Sequence, residues 1–166
     1  MEKEKTNDFV ITRVFNAPRK LIFDAFTQPK HLTHWWGPKG LALEVINLDL
    51  RPGGIFHYGM KSPEGHEMFG VFKYIEIVSP EKIVFINAFA DKEGNIIRAP
   101  FNPLWPLEVY NTWTLTEENG KTTLTLKGGP HNASDEEQKM FEAGMPSMQQ
   151  GFGGTFDQLE AYLKTL

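Results

Sequence analysis

SDEEQKMFEAGMPSMQQGFGGTFDQLEAYLKTL, residues Ser134 to Leu166, places Met145, Met148, Phe152, Phe156, Leu159, Leu163 and Leu166 at steps of 3, 4, 4, 3, 4 and 3. That spacing is the apolar face of an α-helix. Ser134 with Glu137 three residues on forms a capping box, so a first helical segment opens there. Pro146 lacks an N–H and clashes with the preceding turn, so it must kink the helix or divide it. The main helix is therefore predicted over about Ser147–Lys164. Gly151, Gly153 and Gly154 lie inside it, each less favourable than Ala by about 1 kcal/mol. Either a sheet approaches closely there or a cavity opens beside them. Close approach is favoured, as the commoner reason for glycine in a packed element.

A helix with one apolar stripe needs a surface to bury it, and the rest of the chain supplies strands. Phe9–Phe15, FVITRVF, is β-branched and aromatic. Asn16-Ala17-Pro18 reads as a cap with an early helical proline, and Leu21, Ile22, Ala25 and Phe26 then share a face until Gln28-Pro29 interrupts. A second short helix carries Leu32, Trp35 and Trp36 and stops at Gly37-Pro38. From Leu41 to Gly128 short strands alternate with turn clusters: Arg51-Pro52-Gly53-Gly54, Ser62-Pro63-Glu64-Gly65, Ser79-Pro80 and Glu118-Asn119-Gly120. Asn119-Gly120 between TWTLT and TTLTL predicts a two-residue type I′ hairpin. The polar/apolar phase flips between Leu43-Glu44-Val45 and Asn47-Leu48-Asp49-Leu50, which predicts a β-bulge near Ile46. The expected class is α+β: a curved antiparallel sheet of about seven strands wrapped around a long C-terminal helix, with two short helices between strands 1 and 2.

A chain of 166 residues with 40% hydrophobic residues, 13 Phe and 4 Trp has ample material for one core. The expected organisation is a disordered leader over residues 1–8 and one domain over 9–166. Cysteine is absent, which excludes disulfides, thiolate metal sites and a cysteine nucleophile. The leader MEKEKTND is charged and no run approaches eighteen apolar residues, so neither a signal peptide nor a membrane span is expected, and the cytoplasm is the default compartment. A formal net charge of −4 with scattered Lys and Arg argues against a nucleic-acid partner.

Strand phase nominates the wall that faces the helix. Phe56, Tyr58 and Met60 alternate with His57 and Gly59, and Trp113 and Leu115 alternate with threonines. Phe72, Tyr74, Phe85 and Phe89 are expected to join them. With Trp35, Trp36, Trp105, Met145, Met148, Phe152 and Phe156 they form the candidate ligand-binding set. The competing reading is that these side chains simply pack. Met145 and Met148 suit an adaptable binding wall, but a methionine on a helical stripe is more often plain core. The loop Asp91–Leu107, stiffened by Pro100, Pro103 and Pro106 around Trp105, is a lid or a buttress.

No residues assemble into a catalytic or metal site. His31 and His34, three apart with Asp24 upstream, lack a placed third ligand and read as exposed. His57 alternates out of phase with its aromatic neighbours and belongs on the convex face. There is no GxSxG elbow, and Gly53-Gly54 is a turn, not a phosphate cradle. No catalytic residue, metal or cofactor is assigned.

Four stretches, FNAPRKLIFDAFTQPKHLTHWWGP from Phe15, LDLRPGGIFHYGM from Leu48, GVFKYIEIVSPEKIVF from Gly70 and GFGGTFDQLEAYL from Gly151, together resemble the START-like (SRPBCC) superfamily. The branch is the one similar to the activator of heat-shock-protein-ninety ATPase. NIIRAPFNPLWPLEVYNT and PHNASDEEQKMFEAG extend the likeness. The family usually has Trp where this chain has Phe152, which keeps an aromatic anchor but removes an indole donor. The resemblance implies a helix-grip fold with a cavity between sheet and helix that relatives use for apolar molecules, and it carries over no catalytic residue. Binding of a small hydrophobic or aromatic molecule without catalysis is the leading expectation. The alternatives are a module that regulates a chaperone ATPase, and a cyclase- or aromatase-like enzyme in which Tyr58, Tyr74 or His57 would handle protons. Oligomeric state is left open.

Overall fold

The computed structural model describes residues 8–37 and 40–166. The leader expectation over residues 1–7 and the helix stop at Pro38 lie outside them. Seven strands form one antiparallel sheet: β1 Phe9–Phe15, β2 Ala42–Leu48, β3 Ile55–Lys61, β4 Glu67–Val78, β5 Lys82–Ala90, β6 Val109–Glu118 and β7 Lys121–Pro130. Their order is β1-β7-β6-β5-β4-β3-β2, so the meander from β2 to β7 runs neighbour to neighbour and β1 closes onto β7. Helices α1 Arg19–Thr27 and α2 Pro29–Trp35 bridge β1 and β2, and α3 Asp135–Ala143 and α4 Met145–Leu163 follow the sheet. The α+β class, the strand count and the two short helices are as read from the sequence.

Asn119 and Gly120 have φ of 56° and 78°, the left-handed pair that a type I′ turn requires. The register of β2 on β3 shifts between Val45 and Asn47, which is the bulge expected at Ile46. A second shift lies between Tyr74 and Glu76 on β4, where the polar/apolar phase also flips, from Phe72-Lys73-Tyr74 to Ile75-Glu76-Ile77; this bulge was not among the expectations. Bulges add local twist, and two of them on neighbouring strand pairs help the sheet curl round the helix.

At the first helix, Pro18 is the N-cap and not part of the first turn, and it has no side chain that could cap. Glu117 on β6 does the work instead, accepting from the Arg19 N–H at 3.0 Å. At the other end of the chain the capping box of Ser134 and Glu137 is present in both directions. Pro146 divides the helix: α3 ends, Gly144 turns, and α4 restarts at Met145 with proline in its first turn, two residues earlier than expected. Proline is tolerated there because that N–H would have no intrahelical partner.

The stripe of α4 seats against the inner face of the sheet. Phe152 stacks on Phe9 at 5.7 Å, and Phe156 meets Phe15 at 5.9 Å and Trp113 at 5.8 Å edge-on. Phe156 and Leu159 are fully buried. Leu166 lies beyond the last helical turn and is exposed, so the stripe ends at Leu163.

The three glycines do not mark close approach. A methyl group built on Gly151, Gly153 or Gly154 meets nothing within 4 Å. These positions face open space on the flank of α4, and the expectation of tight backbone packing fails there. The intimate contacts of this helix are made by its aromatic side chains, whose size holds the backbone away from the sheet.

Candidate ligand cavity

Most of the space between sheet and helix is filled by rings. Phe26 of α1 stacks on Trp113 at 3.8 Å with planes 3° apart, and Phe72 stacks on Phe85 at 4.2 Å. Trp36 meets Phe72 edge-on, and Phe56 does the same from the next strand. Trp35, Phe56, Phe72, Tyr74, Phe85, Trp113 and Phe156 are each 2% exposed or less and belong to one continuous core. The Trp35 indole donates to the Ala25 carbonyl at 2.9 Å. The Trp113 indole nitrogen is buried without a partner. Burial pushes the Tyr74 hydroxyl well above the usual tyrosine range.

What the rings leave open is a cavity of about 190 Å³ at one end of the sheet–helix seam. Its walls are Trp36 and Gly37 after α2, Tyr58 and Met60 on β3, and Gly151, Phe152 and Thr155 on α4. Each element reaches it for a local reason. Tyr58 and Met60 share a strand face by the two-residue period. Gly37 has φ of +102°, which turns the chain sharply after Trp36. Thr155 donates to the Gly37 carbonyl at 3.2 Å and Gln158 donates to the same oxygen at 2.8 Å, tying that turn to α4. The Tyr58 ring lies over Gly70, where an added Cβ would sit 2.6 Å from its hydroxyl. Asn87 on β5 donates towards the same hydroxyl at 3.4 Å. Burial raises the Tyr58 pKa, while hydrogen bonds from Asn87 and Trp36 pull it back in part.

The structure thus brings together Trp36, Tyr58, Met60 and Phe152 from the candidate set. Gly37, Asn87 and Thr155 were missed. Asn87 could have been found, because it shares the phase of Phe85 and Phe89 on β5, whereas Gly37 and Thr155 carry no periodic signal.

Trp105 and Met148 line a different hollow, of about 400 Å³, with Phe101, Asn102, Met140, Ala143, Gly144 and Ser147. Trp105 packs on Phe141 at 5.6 Å and lies against Gly144. Arg98 donates to the Trp105 carbonyl at 3.2 Å within the loop and pairs with Glu137, so the loop is pinned to α3 at Arg98–Glu137 and at Trp105–Phe141. It buttresses the α3–α4 junction. Met145 is partly buried against the core, and Phe89 is half-buried against Phe101 at 5.4 Å.

His57 lies on the convex face, as its phase requires, yet it is only 7% exposed. The turn at Asp91–Gly94 covers it, and its Nε2 sits 3.1 Å from the Asp91 carbonyl. His31 and His34 grip Tyr162 of α4, the first by a 2.6 Å contact to its hydroxyl and the second by stacking at 4.8 Å. They form a clasp between α2 and α4, and His31 is half-buried there rather than exposed. Among the described residues no group of three or more His, Cys, Asp or Glu could hold a metal ion. No helix among them is long and apolar enough to cross a membrane.

A seven-stranded antiparallel sheet gripping a long C-terminal helix, with two short helices inserted after the first strand, defines a helix-grip domain. The chain belongs to the family described as "Activator of Hsp90 ATPase homolog 1-like protein", whose model matches residues 16–164. Among solved structures it is similar to protein Ms6760 from Mycobacterium smegmatis, with 28% identity over 94% of this chain and 90% of that one and a TM-score of 0.74. An Arthrobacter aurescens protein shares 26% identity over 96% of this chain and 87% of its own, with a TM-score of 0.77. A Staphylococcus epidermidis protein at 24% identity, covering 98% of this chain and 93% of its own with a TM-score of 0.76, shares the fold. No curated protein matches the chain.

Proposed function

We propose that this protein binds a small apolar or aromatic molecule in the cavity bounded by Trp36, Tyr58, Met60 and Phe152, and that it does so without catalysis. The observation that carries the reading is the cavity itself: aromatic and thioether walls from three separate elements surround an opening that the packed rings leave unfilled. Apolar concavity with a few placed polar groups is the usual make-up of a small-molecule site.

Size narrows the ligand. A dry cavity of about 150 Å³ accommodates benzene, so about 190 Å³ suits one substituted ring or a short alkyl chain. Most drug-sized ligands occupy roughly 300–1,000 Å³, and a sterol would require Phe152 or Met60 to swing away. Two features favour binding over turnover. The Thr155 hydroxyl is committed to Gly37, and the Tyr58 hydroxyl, with its pKa raised, is a poor base at neutral pH.

The test is a screen of single-ring aromatics, medium-chain fatty acids and flavonoids by NMR of methyl-labelled protein, with native mass spectrometry of protein isolated from its host. Perturbations centred on Met60 and Thr155 are expected, with quenching of Trp36 fluorescence. No response to any class, or responses confined to the hollow at Trp105 and Met148, would overturn the assignment.

A further inference from the structure

The wall of the cavity holds a hydrogen-bond donor that the protein itself does not use. Asn87 Nδ2 stands 3.4 Å from the Val71 carbonyl and 3.4 Å from the Tyr58 hydroxyl. Both contacts are long, but the first fixes the orientation of the amide, because a carbonyl oxygen can only accept. The nitrogen therefore also faces Tyr58, and the tyrosine oxygen must be the acceptor. Asn87 thus donates towards the Tyr58 oxygen.

The hydroxyl proton is left over. Among the described residues no acceptor for it is present, although Tyr58 is 5% exposed and buried polar hydrogens are nearly always paired. The other hydroxyl in the wall, that of Thr155, already donates to Gly37. The Tyr58 ring cannot easily turn elsewhere. Phe56 lies 4.8 Å away on one side, Phe72 meets it edge-on at 5.7 Å, and Gly70 provides the flat ground beneath the ring.

We infer that Tyr58 is a specificity-determining residue whose hydroxyl donates to the ligand, so that the preferred ligand is an aromatic or short-chain molecule bearing a carbonyl or ether oxygen rather than a plain hydrocarbon. This rests on the cavity being the binding site. The donor from Asn87 polarises the Tyr58 O–H and strengthens it as a donor in turn. A site that offers one buried donor discriminates against ligands that leave it unpaired.

Two nearly isosteric probes test the inference: acetophenone, labelled with carbon-13 at the carbonyl, and α-methylstyrene, which replaces that oxygen by a methylene. The carbonyl resonance of bound acetophenone is expected downfield of its position in hexane, towards its position in an alcohol. In Tyr58→Phe that displacement should vanish. The ratio of the two dissociation constants should also move by about tenfold against the ketone, the weight of one buried hydrogen bond. A wild-type carbonyl resonance at its hexane position overturns the assignment without reference to any variant, so poor folding of Tyr58→Phe would not shelter it. A downfield displacement that survives Tyr58→Phe places the donor elsewhere and overturns it equally. If α-methylstyrene binds while the carbonyl stays unperturbed, only the donor role falls. If neither probe nor any other ligand binds the wild-type protein, the cavity itself is not the site, and the two failures are told apart.

Discussion

Replacing Gly153 and Gly154 together by alanine should stabilise this protein. Both lie mid-helix in α4, neither has a positive φ, and a methyl group at either meets nothing within 4 Å. The substitution therefore brings no clash, and it removes backbone freedom from the unfolded chain. Each Gly→Ala change in a helix interior is worth about 1 kcal/mol, and since neither methyl group meets any neighbouring atom the pair is worth about 2 kcal/mol. For a chain of this length, about 2–4 °C per kcal/mol gives a rise in Tm of about 4–8 °C. In urea the midpoint should increase by about 1 M at unchanged slope, taking a slope of about 2 kcal/mol/M. Equilibrium unfolding followed by tryptophan fluorescence measures this directly. A midpoint that stays put or falls would refute the reasoning and restore the idea that the backbone packs tightly there. Gly151→Ala separates stability from binding. It should stabilise similarly, but its methyl group enters the cavity wall and should weaken ligand binding.

Two further outcomes follow from the core and from the loop. Phe26→Ala removes a 3% exposed ring stacked on Trp113 and touching Trp35, Trp36, Phe72 and Phe85. A loss of about 3–5 kcal/mol is expected with red-shifted tryptophan emission, and a loss below about 1 kcal/mol would show that the ring stack is not the core. The Glu137 carboxylate is held below its ordinary value of 4.5, first by the Ser134 N–H and then by Arg98, and Asp91 is held below 3.8 by the N–H groups of its own turn. A depressed folded-state pKa means stability that is fully present above those ordinary values and is lost as pH falls through the lower folded values. Amide resonances of the 91–108 loop should therefore shift towards a detached state only in acid, below about pH 4. Glu137→Gln should bring part of that loosening to neutral pH, and a loop indifferent to both would refute the pinning role.

Much of the fold was legible because the relevant forces are local. The Asn119-Gly120 turn, the capping box at Ser134 and the phase flip at Ile46 each reside in a few neighbouring residues, and the α4 stripe lies within one continuous helix. Boundaries were less secure where a distant group intervened. Glu117, remote in sequence, caps α1, and Pro146 starts a helix that it was expected to precede. The bulge at Ile75 was missed although Lys73 and Glu76, three residues apart, carry the same kind of phase flip as at Ile46. The candidate site was only partly legible. Parity along β3 placed Tyr58 and Met60 on one face, but the same parity describes Phe56, Phe72, Tyr74 and Phe85, which end in the packed core.

Sequence alone determined the class of fold, the number of strands, the meander, the gripped helix and the inward faces of β3 and β6, since these follow from hydrogen-bonding period, turn chemistry and the pairing of neighbours. The seating of β1 beside β7 came from the tertiary structure. Only tertiary structure decided where space remains. An unfilled volume is the difference between the room enclosed by several elements and the summed volume of side chains entering it from all of them. Phe26, Trp113, Phe72 and Phe85 come from four elements and fill one end of the seam, while Gly37, Gly151 and a small Thr155 leave the other end open beside Tyr58.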